Sequence, residues 1–514
     1  MKDSSSGQIN LTYSQTMGFH LLSQILIIVL VTIGNFVWKD LIPLNNGFGW
    51  DGYTNYKPLL LNCQSLLLNH QLDGYSIQRI FPFCTGHYLI HLFQSGFSDK
   101  AVLFGFQIYQ FIILLLIQFF WYKIADFLKL SKTAFWLGFL GLIVNFATLK
   151  FDFYYPILSD RSALLLGLVS LFFYLRQNVP GLLISSIIGT ITWPTLILIN
   201  CILFLFPYKQ NVLPSGKDNN RIINLIILFI CGYVLLWMGN ICMYVVNTPK
   251  DTLGFWHYIL VQYLPFSVVG CILYLYYSLR GISSGLVLNI KSLIKHFRTL
   301  PLSNYIGMGL LIVWYIVLKK LIANADLPMR LSGSTFLSNI ALTAIMKPLL
   351  FMVQHIIYFG PLLVLIVLFF KDYCKKVQSL GFGFVLIIGA GLIQSINSES
   401  RQLLSLLPFF ILPILLVLEE MKVTRLALIS TIVLSIGLSK FYLPINWIAT
   451  KLLKLDQATF LDTTKPDSIG LQLYMMNHGP WVSTKFYIIN TIIVIITTIT
   501  MFLVFRFHYS KRVI

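Results

Sequence analysis

The chain has 514 residues, of which 57% are hydrophobic and 11% charged, and its mean hydropathy is +0.79. A soluble globule of this composition would expose far too much apolar surface to water, which excludes the soluble classes. The formal charge of +19 does not predict a nucleic-acid partner, because Lys and Arg lie mostly in short connectors between apolar segments, where they set membrane orientation.

The apolar segments are mostly about 17 to 25 residues long, a length that suits membrane-crossing helices and not barrel strands. They predict an all-α polytopic membrane protein, one integral domain over 1–514, with about 11–14 transmembrane helices. The segments are 19–38, 101–122, 133–149, one that ends at Arg176, 222–246, 256–279, 304–323, 344–370, 380–396, 401–419, 424–438 and 486–506.

Between and within these spans, three stretches are distinctive. The first span is too long for a cleaved signal, and 39–100 after it is predicted as an outer loop with a short amphipathic helix over 80–97 on the membrane surface. The apolar stretch 180–207 is broken at Trp193-Pro194, which predicts two half-length helices. The segment 440–485 is predicted as a small outer cap, whose Met475 and Trp481 favour an interfacial anchor over a ligand contact.

The distribution of basic connectors places both termini in the cytoplasm and the 39–100 loop outside. A composition rich in Ile, Lys, Asn and Phe is compatible with an AT-rich bacterial genome, and the only Asn-x-Ser/Thr sequon, at Asn10, lies in the predicted cytoplasmic tail, which favours a bacterial plasma membrane. The seven scattered cysteines do not predict a disulfide framework, although Cys63 and Cys84 share the first loop and are the pair that could form one. His87 and His91 share a helix face without a nearby carboxylate, which favours packing over a zinc site.

A few charged residues stand out as candidates for chemistry. Asp51 lies between Trp50 and Gly52, where partial desolvation would suit a general base, although Asp-Gly is also a common turn. Arg161 and Arg401, with Arg79, could bind a phosphate through their planar donors. The alternative is that Arg161 and Arg401 pair with their own neighbours, Asp160 and Glu399.

This layout resembles the GT-C superfamily of membrane glycosyltransferases, which use polyprenyl-phosphate sugars as donors. Trp50-Asp51-Gly52 directly follows the first span and is similar to the motif of the GPI mannosyltransferase branch, and Asp160-Arg161 is similar to the second acidic position of the superfamily. Ser398-Glu399-Ser400-Arg401, before a proline-containing span at Pro408, is similar to a late outer-loop arginine of bacterial members. The chain departs from the family by lacking a large soluble carboxy-terminal domain and an acceptor-peptide motif.

The resemblance implies a glycosyltransferase of the cell envelope whose acceptor is a lipid or a glycan. Asp51 would act as the base and Asp160 as the second acidic residue, while Arg79, Arg161 and Arg401 would hold the donor phosphate. Trp50, Tyr53 and Tyr75 would face the sugar ring. A divalent metal is compatible with this chemistry but not required, since arginines can neutralise the leaving phosphate.

Two other classes fit the composition. A lipid-linked glycan flippase or transporter would also be polytopic and basic, and the break at Trp193-Pro194 is typical of transporter helices. A polysaccharide polymerase or ligase would use a late outer loop, for which 440–485 with His478 is the candidate.

Overall fold

The computed structural model describes residues 4–38, 40–93, 97–210, 221–247, 259–287, 289–324, 327, 333–455, 467–476 and 478–509. These segments are helical or connect helices, and none of them forms a β-strand, which confirms the all-helical prediction. Part of the predicted 440–485 cap, residues 456–466 and 477, lies outside the described residues.

The first half of the chain alternates long spans with short helices. The helices are Ser4–Trp38, Gly49–Asp51, Lys57–Leu68, Ile80–Phe93, Asp99–Leu128, Lys132–Leu142, Asp152–Tyr154, Asp160–Leu175, Val179–Thr190, Leu196–Leu205 and Arg221–Asn247, with 3₁₀ or π turns at Leu44–Gly47, Gly52–Tyr56, Ile77–Arg79 and Ala147–Phe151. Several begin at a side-chain cap. Ser98, Ser131 and Asn178 each accept a hydrogen bond from a backbone N–H of the first turn.

The second half continues the pattern. Its helices are Leu264–Ser283, Ile290–Thr299, Leu302–Val317, Gly333–Ile345, Leu350–Phe359, Leu362–Leu368, Phe370–Ser379, Phe382–Gln394, Leu407–Met421, Arg425–Ser439, Ile445–Trp447, Ile469–Tyr474 and Thr484–Tyr509, with 3₁₀ or π turns at Val261–Tyr263, Leu318–Ile322, Ser400–Leu403 and Ile448–Leu452.

In the described part of the chain, six helices are long and apolar enough to cross a membrane, or up to eight if each of two bent pairs is one span. The six are Thr16–Trp38, Asp99–Leu128, Arg221–Asn247, Val261–Ser283, Leu302–Ile322 and Thr484–Phe505. The count of about 11–14 expected from segment length included stretches that fold as shorter apolar helices, such as Phe382–Gln394 and Arg425–Ser439.

Two interrupted stretches test the span predictions. The predicted break in 180–207 is confirmed, because Val179–Thr190 ends before Trp193-Pro194 and a new helix begins at Leu196. The stretch 344–370, predicted as a span, is not one continuous helix. Leu337–Ile345 and Leu350–Phe359 meet at 98°, and Gly360, with φ +89°, separates the second helix from Leu362–Leu368.

The helix Asp160–Leu175 lies at the centre of the bundle, buried along almost its whole length. It packs against Asp99–Leu128, Val179–Thr190 and Leu407–Met421. Gly167 allows a close approach, since a Cβ there would lie 2.1 Å from the Ser405 carbonyl oxygen. The connector that carries Arg401 is therefore held against the central helix.

The first loop is covalently closed. Cys63 and Cys84 are joined by a disulfide, with their Cα atoms 5.4 Å apart. The sequence had predicted no disulfide framework but had named Cys63 and Cys84 as the pair that could form a bridge, and they meet because Lys57–Leu68 packs against Ile80–Phe93. Cys201, Cys231, Cys242, Cys271 and Cys374 are free thiols.

Candidate active site

The site begins with the glycine-rich turn that carries Asp51. Gly47 and Gly49 have φ of +100° and +66°, which favour glycine. A Cβ on Gly49 would lie 2.5 Å from the Tyr155 ring, and the Gly52 N–H donates to the Tyr155 hydroxyl at 3.1 Å. The glycines on each side of Asp51 therefore allow the loop to press against Tyr155, and this contact fixes the position of the carboxylate.

Asp51 contacts a residue that lies 350 positions later in the chain. Arg401 donates from Nη2 to Asp51 Oδ2 at 3.2 Å and from Nε to Glu399 Oε1 at 2.5 Å. The side chains of Arg401, Asp51 and Glu399 are 23%, 33% and 21% exposed. Burial disfavours the charged form of Arg401 and lowers its pKa. The carboxylates of Glu399 and Asp51 outweigh this effect and hold the pKa of Arg401 well above its usual range.

A cavity of about 300 Å³ opens beside this ion-paired group. Trp50 lies on its wall with its ring edge-on to Tyr474, the ring centroids 5.1 Å apart. The lining is otherwise mostly aromatic and sulfur-containing, and consists of Ile42, Trp50, Asp51, Phe151, Tyr155, Glu399, Ser400, Arg401, Tyr474, Met475, Met476, His478, Gly479, Pro480 and Trp481. Such a surface can pack against a sugar ring or an apolar ligand while the charged group binds one polar end.

Residues 475, 476 and 478–481 form one side of the cavity, where the sequence had favoured a membrane anchor. The Gly479 N–H donates to Gln354 Oε1 at 3.1 Å, and the His478 ring packs among Phe146, Phe151 and Tyr358. Burial lowers the pKa of His478 to about 3, and the nearby charge of Lys440 adds to the effect. His478 is therefore neutral near pH 7 and a weak proton acceptor.

Asp160 and Arg79 lie near the ion-paired group without lining the cavity. Asp160 is 1% exposed, and its Oδ1 atom has no hydrogen-bond partner among the residues that the structure describes. Arg79 donates to Ser159 Oγ at 3.0 Å, and its guanidinium lies 4.2 Å from the centre of the Trp193 ring. The charges of both residues interact with that of Arg401. They form a buried electrostatic layer beside the residues that line the cavity.

Arg161 does not contact the ion-paired group of Asp51, Glu399 and Arg401. It is fully buried and donates from Nε to Asp152 at 3.2 Å, from Nη1 to the Gln110 carbonyl at 3.0 Å and from Nη2 to the Thr148 carbonyl at 2.6 Å. The sequence had left open a pair with its neighbour Asp160, but the carboxylate it contacts is that of Asp152. Its donors join the central helix to three neighbouring elements and are not directed at the cavity.

Of the three residues predicted to face the sugar, one lines the cavity and two do not. Trp50 lines the cavity, whereas Tyr53 is exposed next to Lys57, whose ammonium lies 5.2 Å from the Tyr53 ring centre. Tyr75 lies 4.7 Å from the Arg79 guanidinium. Tyr474 and Trp481, which the sequence did not single out as ligand contacts, occupy the wall instead.

The histidine pair of the first loop is a packing feature. His87 Nδ1 lies 2.6 Å from the Leu60 carbonyl oxygen, and its ring stacks on Phe97. Among the described residues, no group of three or more His, Cys, Asp or Glu side chains is arranged to hold a metal ion.

No protein-family model, curated protein or solved structure matches this chain. The site must therefore be interpreted from its own geometry.

A buried ion pair that the sequence did not reveal lies beside the cavity residues Ile42 and Phe151 in the chain. Lys150 contacts Asp40 at 2.6 Å, and Asp40 also accepts hydrogen bonds from the backbone N–H groups of Ile445 and Asn446 at 2.8 Å each. These contacts join the first loop to the 440–455 segment. The residues are more than 100 positions apart, and no local pattern in the sequence signals their pairing.

Proposed function

We propose that this protein is a membrane glycosyltransferase that moves a sugar from a polyprenyl-phosphate donor to a hydroxyl of a lipid or glycan acceptor. The main support for this proposal is the contact of the Asp51 carboxylate with the Arg401 guanidinium at a cavity rich in aromatic rings. A carboxylate that can accept a proton and a cation that can bind a phosphate are the two groups that this transfer needs. The resemblance of Trp50-Asp51-Gly52 to GT-C enzymes supports the same assignment.

In the proposed reaction Asp51 accepts the proton of the acceptor hydroxyl. The acceptor oxygen then forms a bond to the anomeric carbon, while the bond from that carbon to the phosphate oxygen breaks and its electron pair leaves with the polyprenyl phosphate. A single displacement inverts the configuration at the anomeric carbon, and one carboxylate is sufficient because the phosphate is a good leaving group.

Arg401 would stabilise the leaving phosphate, whose negative charge grows as the bond breaks. Without donor, Arg401 is neutralised by Asp51 and Glu399. A donor phosphate would replace one of these carboxylates and release Asp51 for the acceptor. Arg79 would add positive potential from its buried position, and Asp160 would orient the arginines. Arg161 has a structural role in this proposal, since its donors bind Asp152 and two backbone carbonyls.

The proposal places the site on the extracytoplasmic face of a bacterial plasma membrane, with both termini in the cytoplasm. The Cys63–Cys84 disulfide supports this orientation, because disulfides persist in oxidising compartments and are rare in the cytosol. Of the predicted sugar-facing residues, Trp50 is retained, and Tyr474 and Trp481 join it on the wall.

A polysaccharide polymerase or ligase remains a second candidate because His478 lines the same cavity. A histidine base in such an enzyme would need to accept a proton near neutral pH. The pKa of His478, lowered to about 3 by burial, makes it poorly suited to that role.

The experiment is transfer from radiolabelled polyprenyl-phosphate hexoses in proteoliposomes, with donor KM measured for the wild type and Arg401→Ala. Loss of a charged hydrogen bond to phosphate costs about 1.5–3 kcal/mol, so donor KM should rise about tenfold or more. Arg280→Ala is the matched control. Arg280 is exposed and, within the described part of the chain, donates a hydrogen bond only to the Tyr276 hydroxyl. Equal donor KM in Arg401→Ala and the wild type would remove Arg401 from the phosphate site, and a folded wild type that consumes no such donor would refute the function.

A further inference from the structure

A second, larger cavity lies away from Asp51. It has a volume of about 930 Å³ and runs along the helix Leu264–Ser283, opposite Leu362–Leu368 and the start of Phe370–Ser379. We call it the lateral groove. Its walls include the apolar side chains Leu273, Met352, Ile366, Val367 and Leu392. Its volume lies within the roughly 300–1,000 Å³ range of sites that enclose small organic ligands.

The lateral groove carries positive charge at one end. Lys371 and Lys375 line it there, next to Ser284. Both lysines are exposed. Lys375 contacts Asp372 at 3.0 Å, while Lys371 has no ion pair within the described part of the chain. The Gln378 amide donates to the Ile282 and Ser284 carbonyls at 2.8 Å each, so this end is held in a defined shape. An occupant should therefore carry a negative charge at the lysine end.

The length of the lateral groove matches one leaflet of a bilayer. It extends along the helix from Gly270 to Ser284, a rise of about 21 Å. A bilayer with its headgroup regions is about 40–45 Å thick, so this is about half of it. Near its other end, the Tyr274 hydroxyl is 2.7 Å from Ser395 Oγ. An occupant that fits is apolar over most of this length and anionic at the end near Lys371.

We propose that the lateral groove binds one anionic phospholipid, with an acyl chain between Leu273 and Ile366 and the headgroup phosphate at Lys371 and Lys375. Juxtamembrane lysines attract anionic headgroups in this way, and basic pockets between transmembrane helices bind them. The site is distinct from the cavity beside Asp51 and does not rest on the proposed enzymatic activity. A polyprenyl tail fits less well, because its length exceeds one leaflet and the phosphate proposed for it lies at Arg401.

The test uses full-length protein in phosphatidylcholine vesicles that contain a trace of phosphatidylglycerol with a photoreactive acyl chain. After irradiation, mass spectrometry measures labelling of peptides that contain Leu273 and Ile366. We expect Lys371→Glu with Lys375→Glu to reduce labelling at least tenfold, since each basic residue contributes about a fivefold factor in affinity. The matched control, Lys291→Glu with Lys295→Glu, makes the same charge change at exposed lysines outside the lateral groove and should label like the wild type.

Three results would overturn the proposal. The first is equal labelling by photoreactive phosphatidylcholine, which would make the groove an ordinary lipid-facing surface. The second is unchanged labelling in the Lys371→Glu, Lys375→Glu protein. The third is loss of the label when polyprenyl phosphate is added, which would assign the groove to the donor tail. If the charge-reversed protein does not fold, Lys371→Gln with Lys375→Gln replaces it, with a loss of fivefold or more expected.

Discussion

Asp51→Asn tests the centre of the proposed mechanism. The substitution keeps the size of the side chain but removes the carboxylate that would act as the base. Loss of a general base costs about 10²–10⁴ in rate, which is about 2.7–5.4 kcal/mol of barrier. We expect kcat to fall at least a hundredfold, because among the described residues Asp51 and Glu399 are the carboxylates that line the cavity, and Glu399 is paired with Arg401 at 2.5 Å.

The same substitution should change stability little. The Asp51 and Arg401 side chains are 33% and 23% exposed, so solvent screens their attraction. Ion pairs of this exposure contribute within about 1 kcal/mol, and Arg401 keeps Glu399 as a partner. The expected loss in transition-state stabilisation is thus more than twice the expected loss in folding free energy, and the two effects can be separated.

The assay is sugar transfer at saturating donor in proteoliposomes, with the thermal midpoint of the same preparation measured by the loss of soluble protein. Asp99→Asn is the matched control, because Asp99 is 34% exposed and pairs with Lys57 at 2.6 Å at the edge of the same loop without lining the cavity. It should retain wild-type kcat. Retention of half or more of the activity in Asp51→Asn would remove Asp51 from the base role.

Two further predictions concern stability. Arg161→Met breaks a fully buried ion pair and should lower the free energy of unfolding by about 3–5 kcal/mol, seen as a lower thermal midpoint. Arg176→Met, at the exposed end of the same helix, should leave the midpoint unchanged. A raised donor KM with an unchanged midpoint in Arg161→Met would return Arg161 to the phosphate site. Cys63→Ser with Cys84→Ser removes a disulfide whose cysteines are 21 positions apart and should lower the free energy of unfolding by about 3 kcal/mol. Reducing agent should then lower the wild-type midpoint to that of the double variant, and an unchanged wild-type midpoint would contradict this.

The features that could be predicted from the sequence depend on single residues and their immediate neighbours. Pro194 removes a helical hydrogen bond wherever it lies, so the break in 180–207 could be predicted from local chemistry alone. Likewise Asp51 stood out because it is a carboxylate between Trp50 and Gly52, just beyond a span. The bend between Ile345 and Leu350 was missed because an apolar run has the same composition whether its helix is straight or broken.

The sequence alone determined that this chain is a helical membrane protein, because hydropathy and segment length depend on composition and local order, and it also nominated Asp51 and Arg401. Only the tertiary structure decided which charges meet. It paired Asp51 with Arg401 across 350 residues, directed Arg161 to Asp152, and brought Tyr474 and His478 to the cavity wall. The physical reason is that a buried charge must find a partner or a cavity. Which partner it finds depends on how distant helices pack, and no local spacing records that.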